Sequence, residues 1–207
     1  MIAPLRTTLA AMAAVALSGC VSLLPEAEPA QLYRLDAAID TARLSGGGEA
    51  FGVVLPDADF ARAAGGDRIL TVNEAEVAYI AEARWIAPAS VLFEEALSRA
   101  FDVNPGAARL VTRGEYRQAE DVLRIDVRRF EAVYDRGEKA APKVVVRVRA
   151  TLVSREDRSL VAERIFETES RASANRVSSI VEAFDAASAE VLTDLVDWTN
   201  RRGGAAS

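Results

Sequence analysis

From residue 121 onward the chain alternates between apolar and polar positions. In DVLRIDVRRFEAVYD (121–135), Leu123, Ile125 and Val127 share one side of a strand, and Val122, Arg124, Asp126 and Arg128 the other. Phe130 falls one step out of phase, which predicts a bulge or bend there. KVVVRVRATLVSRE (143–156) puts Val144, Val146, Val148, Ala150 and Leu152 on one face, with Val145, Arg147, Arg149 and Thr151 on the other. EDRS reads as a hairpin turn, and LVAERIFETES (160–170) as the antiparallel return. One buried and one wet face fit an antiparallel sheet with helices on one side. The period then changes. Val177, Ile180, Val181, Phe184, Ala187, Val191, Leu192, Leu195 and Trp198 recur at steps of three and four, which predicts a long amphipathic helix over 176–202. Ser188 is the one polar residue on that stripe. Arg201 and Arg202 suit the negative end of the helix dipole.

The first half is less regular. QLYRLD (31–36), FGVVLP (51–56) and RILTVN (68–73) read as strands, with a loop over TARLSGGGEA and a turn or one short helix over DADFARAAGGDR. EVAYIAEARWIAP (76–88) sets Val77, Tyr79, Ala81, Ala83 and Trp85 at period two and reads as a strand, although its alanines also tolerate a helix. Pro88 opens a helix whose stripe is Val91, Leu92, Leu97 and Phe101, with Phe93 beside it. NPG (104–106) breaks the chain, and ARLVTRG (108–114) reads as one short strand. The order predicts an α+β domain over 31–202, a mostly antiparallel sheet with two main helices packed on one face. A tail over 203–207 follows.

The start of the chain adds an address. Arg6, the apolar run TLAAMAAVAL and small residues before Cys20 follow the order of a secretory signal peptide over 1–19. The run is too short to span a bilayer, which takes about 20 apolar residues. LSGC (17–20) resembles the lipobox of bacterial lipoproteins, in which the cysteine is acylated and becomes the first residue. Cys20 is the only cysteine, so no intramolecular disulfide exists; a free thiol in an oxidising compartment is the competing reading. VSLLPEAEPAQ (21–31) reads as a tether, which places a lipidated tether over 20–30. Several acyl chains on one residue hold a protein stably, at about 0.8 kcal/mol per buried methylene. Val21 follows the cysteine in place of the aspartate that favours inner-membrane retention in bacterial lipoproteins generally. The expectation is therefore the periplasmic face of the outer membrane, with the inner membrane as the lesser alternative.

Composition narrows the chemistry. The chain has no histidine, which excludes a Ser-His-Asp triad, a Cys-His pair and a histidine zinc site. No Gly-rich phosphate loop is present, because SGGGEA and RAAGGDR lack the Lys-Ser/Thr. Arg6 is the only charged residue among 1–19, so removing the signal takes the net charge from −6 to −7. An acidic domain is a poor partner for nucleic acid. Carboxylates leave a glycosidase or an oxygen-ligand metal site open as classes. No acidic pair nominates itself, and no cofactor or metal is predicted.

The ordered set of motifs resembles a known family. It comprises the lipobox, Tyr33 and Leu35, then Val77, Tyr79, Trp85 and Pro88. Leu123, Ile125, Val127, Phe130 and Glu131 follow, then Val146, Val148, Ala150 and Leu152, Arg164 and Phe166, and a closing helix with an aromatic near its end. Together they resemble the ABC-type transport auxiliary lipoproteins, found beside the mammalian cell entry (MCE) lipid transport systems. The resemblance implies a non-enzymatic, periplasm-facing partner of an MCE-domain protein and of an ABC transporter's ATPase and permease, with phospholipid as cargo. It leaves open whether the chain itself binds phospholipid or forms a homo-oligomer. The other classes are a structural or assembly-type outer-membrane lipoprotein and a carboxylate-based hydrolase. Cys20 is the predicted lipidation site. Trp85 is read either as a partner or lipid contact or as core at a strand–helix junction. Arg128, Arg147 and Arg149 (with Arg129) are read either as a basic contact stripe or as partners of cross-strand acids among Glu163, Glu167 and Glu169.

Overall fold

The long alternating run at 121–135 forms the spine of the molecule. The computed structural model describes residues 29–202. The predicted signal peptide, Cys20, most of the tether and the tail lie outside the described residues. The spine is β7 (Ala119–Val133), and along one edge it pairs antiparallel with β8 (Lys143–Ser154), which pairs antiparallel with β9 (Leu160–Arg171). These three strands match the sequence reading closely. The phase break is real. Val127 pairs with Val148 and Arg129 with Arg147, so Arg128 is the extra residue of a bulge. The bulge returns Phe130 and Ala132 to the buried face that Leu123, Ile125 and Val127 began.

The other edge of β7 corrects the expected sheet. Three short strands line it in series: β2 (Gly47–Val54), β3 (Asp59–Phe60) and β4 (Arg68–Asn73). All three run parallel to it, with Val53 opposite Asp121, Asp59 opposite Asp126 and Thr71 opposite Ala132. β2 also pairs parallel with β6 (Gly106–Leu110). β4 turns back antiparallel into β5 (Glu76–Trp85), and β5 pairs parallel with β1 (Gln31–Tyr33) at the edge. The nine-stranded sheet is therefore mixed, not mostly antiparallel. The physical reason is that apolar alternation marks a strand and a face but not a direction. Direction here is set by the links between β2, β3 and β4, residues 55–58 and 61–67, which carry the chain forward along β7, whereas the two-residue link 74–75 folds β4 back into β5.

The two helices are α1 (Ala89–Asp102) and α2 (Val177–Asn200). Both lie on the face that β7 buries. Phe93 of α1 and Phe184 of α2 reach the same ring, Phe130, at centroid distances of 6.3 and 4.6 Å. Phe60 of β3 meets it edge-on at 5.6 Å. Burial of side chains of this size contributes about 1.5–3 kcal/mol each. The first amides of α1 need partners because Pro88, its N-cap, has no capping side chain. Ala89 N–H donates to Gly66 O at 2.9 Å and Ser90 N–H to Gly65 O at 3.3 Å, so the diglycine turn seats the helix. The far ends of both helices are locked by two asparagines. Asn104 Nδ2 donates to Asn200 Oδ1 at 2.8 Å, and Asn200 Nδ2 returns to Asn104 Oδ1 at 2.9 Å. Gly106 lies so close that a Cβ there would stand 2.2 Å from Asn200 Nδ2, which explains a residue without a side chain.

Candidate functional site

β8 holds two of the cations singled out by sequence, two residues apart and facing away from the helices. Each finds a carboxylate on β9, because β8 and β9 pair in continuous antiparallel register there. Arg147 Nε lies 3.2 Å from Glu167 Oε2, and Arg149 is bound to Glu163. Arg128, the bulged residue, donates from Nε to Asp126 Oδ2 at 2.8 Å. Arg129 donates to Glu131 at 2.8 Å. Lys143 Nζ reaches both oxygens of Glu169 at 2.7 and 2.9 Å, and Arg171 grips Asp135 at 2.7 and 2.9 Å. The Arg149 hydrogen bond holds the Glu163 carboxyl below its ordinary value, and Arg171 does the same for Asp135. The stripe expected from sequence exists as a row of arginines, but its charge is cancelled pair by pair. Arg147 and Arg149 pair across strands with Glu167 and Glu163, whereas Arg128 and Arg129 pair with Asp126 and Glu131 on their own strand.

Trp85 sits elsewhere. It is 2 % exposed and turns its edge onto Phe184 at 5.3 Å, with Phe130 at 6.0 Å. In that position it fills the core between β5 and α2. The alternation that carried it, Val77 to Trp85, is split by an irregularity in β5. Arg68 pairs with Arg84 but Leu70 pairs with Tyr79, so residues 80–83 bulge opposite one residue of β4. Glu82 takes a left-handed φ of 55° within the bulge. Ala83 and Trp85 turn inward, while Val77 and Tyr79 stay exposed at 61 % and 40 %.

Sequence reasoning missed a cavity at the end of the ladder. It has a volume of about 710 Å³ and opens where β7 starts, β8 ends and β9 begins, lined by Arg117, Glu120, Asp121, Arg155, Glu156 and Arg202 among others. Arg202 organises it. Its guanidinium binds Glu120, lies 3.3 Å from Asp121 Oδ2 and covers the Phe51 ring at 4.7 Å. Asp121 is buried, and burial pushes its carboxyl up, opposed by Arg202. Arg155 Nη1 donates to Ala119 O at 3.1 Å. Glu120 and Asp121 share the one guanidinium of Arg202. Among the described residues no cluster of acidic residues is placed to hold a metal ion. The signal that could have found this site is Arg202, which sequence reading gave only to the helix dipole.

The comparisons with known proteins agree with the fold. The family model for the ABC-type transport auxiliary lipoprotein component matches residues 33–196. The chain belongs to the ABC-type transport auxiliary lipoprotein family. A crystal structure from Xanthomonas campestris, assigned to family model DUF330, is similar with a TM-score of 0.72 and 25 % identity, over 84 % of this chain and 97 % of that one. An uncharacterized protein has a TM-score of 0.64 at 13 % identity, covering 82 % and 97 %. A hypothetical protein from Chlamydia trachomatis has a TM-score of 0.50 at 11 % identity, covering 76 % and 99 %, and like the second it shares the fold alone. A search of curated proteins finds no match. Family membership makes the chain a transport auxiliary lipoprotein component, and among the described residues no helix is long and apolar enough to cross a membrane.

Proposed function

We propose that this protein is the lipid-anchored, non-catalytic auxiliary component of an ABC/MCE-type transport system that moves phospholipid between the inner and outer membranes. The observation that carries the reading is the family match over residues 33–196. The sequence supports it with a lipobox ending at Cys20 and with the absence of histidine. In this reading Cys20 carries the acyl chains, and the domain faces the periplasm from the outer membrane. Arg128, Arg147 and Arg149 can meet an acidic partner only by exchanging the carboxylates they now hold, so an MCE-domain protein contacting them would compete with Asp126, Glu163 and Glu167.

The test is co-purification of the full-length lipoprotein with its transport system from detergent-solubilised membranes. An MCE-domain protein and an ABC permease and ATPase should be recovered with it, and mass spectrometry should find fatty acid on Cys20. Recovery of envelope-assembly proteins in their place would favour a structural outer-membrane lipoprotein. In a Cys20→Ser variant the precursor should keep its signal. Normally processed, soluble material would contradict the anchor.

A further inference from the structure

One corner of the sheet places apolar and cationic side chains together and leaves one of the cations, Arg68, without an ion pair among the described residues. Leu32 of β1 lies opposite Arg84 of β5, and Arg84 lies opposite Arg68 of β4. Residues paired across strands share a sheet face, so the three form one row. Like charges directly opposite one another destabilise a sheet. Asp67 offsets Arg84 at 2.9 Å. Arg68 has only the Tyr79 ring, 5.3 Å from its guanidinium carbon, and among the described residues no carboxylate lies within ion-pair distance of it. The β5 bulge opens a hollow of about 180 Å³ beside these groups, lined by Arg68, Tyr79, Glu82 and Arg84 among others. Glu82, the carboxylate of that hollow, pairs with neither arginine. Leu32 and Ile86, two residues beyond Arg84, are each 62 % exposed. Ile86 N–H donates to Tyr33 O at 2.6 Å, which keeps it beside β1.

The described chain also begins here. From Cys20 to Gln31 the backbone spans at most about 40 Å. On the anchored-lipoprotein reading, which this inference rests on, the corner hangs near the leaflet that holds the acyl chains. We propose that it rests on that leaflet. Lipid phosphates enter between Arg68 and Arg84, and Leu32 and Ile86 enter the headgroup layer. Guanidinium matches phosphate by paired, charge-assisted hydrogen bonds, and apolar side chains beside cations are the composition of an interfacial surface. The acidic net charge of the chain does not oppose this, because the two acids beside the row, Asp67 and Glu82, leave Arg68 without an ion pair among the described residues.

The test uses the full, lipidated chain in vesicles of phosphatidylethanolamine and phosphatidylglycerol. Acylation of Cys20 leaves an introduced cysteine as the sole free thiol, so nitroxide labels can be placed in Leu32→Cys, Ile86→Cys and Leu160→Cys variants one at a time. Leu160 is equally exposed but lies at the opposite end of the β7–β9 ladder. Labels at 32 and 86 should be more accessible to oxygen than to a water-soluble nickel reagent, with the reverse at 160. Adding Arg68→Glu should abolish the difference at 86 while the chain still floats with the vesicles. Labels at 32 and 86 that stay as water-accessible as 160 in a floating chain overturn this inference alone. So does protection that develops only when a second protein is added. A chain that does not float overturns the anchored reading and this inference with it.

Discussion

The two ends of the sheet are built to opposite rules. In the β7–β8–β9 ladder Arg128, Arg129, Lys143, Arg147, Arg149 and Arg171 each have a partner of opposite charge, and the inner face is sealed by α2. In the β1–β5–β4 corner the strands are short or bulged, two arginines face each other, and leucine, isoleucine, valine and tyrosine stand exposed. The difference teaches where stability and contact are separated in this molecule. The ladder is internally complete, whereas the corner is complete only with something laid against it.

Mutations can break or sharpen that contrast. The largest effect is expected where the two regions share a core. Phe184→Ala removes the ring that touches both Phe130 and Trp85, and should cost about 3–5 kcal/mol in urea denaturation. Next comes Gly106→Ala, which drives a methyl group into the Asn104–Asn200 pair. Losing those partly buried hydrogen bonds should cost about 0.5–1.5 kcal/mol, read as a lower thermal midpoint. A pH series on Asp121→Asn should show a smaller change. Burial raises the Asp121 carboxyl above its ordinary 3.8, so the folded state holds that proton more tightly than the unfolded state. Its contribution then falls as pH rises from about 4 through the raised value. The asparagine variant should lose less stability over that interval.

Smaller still is the Arg149–Glu163 pair. Glu163 is held below its ordinary 4.5 by Arg149, so its contribution is present above that value and is lost as pH falls through the lowered one. Arg149→Ala should weaken the fold slightly at neutral pH, and the difference from wild type should shrink in acid. The smallest effect is expected in the corner. Ile86→Ser and Leu32→Ser should change stability by less than about 0.5 kcal/mol, because neither side chain is packed. A large loss at either position would mean that the corner is core after all and would erase the comparison.

What could be read from the sequence follows the same division. The helix expected over 176–202 is found at Val177–Asn200, and the phase slip at Phe130 correctly announced a bulge that falls at Arg128. Both are local signals, written in a few consecutive residues. The parallel strands were not legible. β3 is only Asp59–Phe60, too short to show a period, and its pairing partner lies more than sixty residues away. The face from Val77 to Trp85 misled for another reason. A strict period of two assumes an unbroken strand, and the left-handed turn at Glu82 is a backbone event in a residue with no special tendency toward it. The cavity at Arg202 was hidden because its walls come from three distant segments. The sequence did supply the two readings of Trp85 and of the arginines, but only neighbours in space show Trp85 packed in the core and the arginines held by carboxylates.

The shared spine has a consequence for the order of events in synthesis. β2, β3 and β4 emerge from the ribosome first, yet the edge they dock on, Ala119–Val133, is made later. β4 can close its hairpin with β5 and β2 can meet β6 earlier, but the parallel pairings that join them into one sheet wait for that segment, and such distant pairings form slowly. Late arrival of the keystone keeps the leading half of the nascent chain from closing into a finished sheet, the condition a protein needs if it is to be threaded through a membrane before it folds.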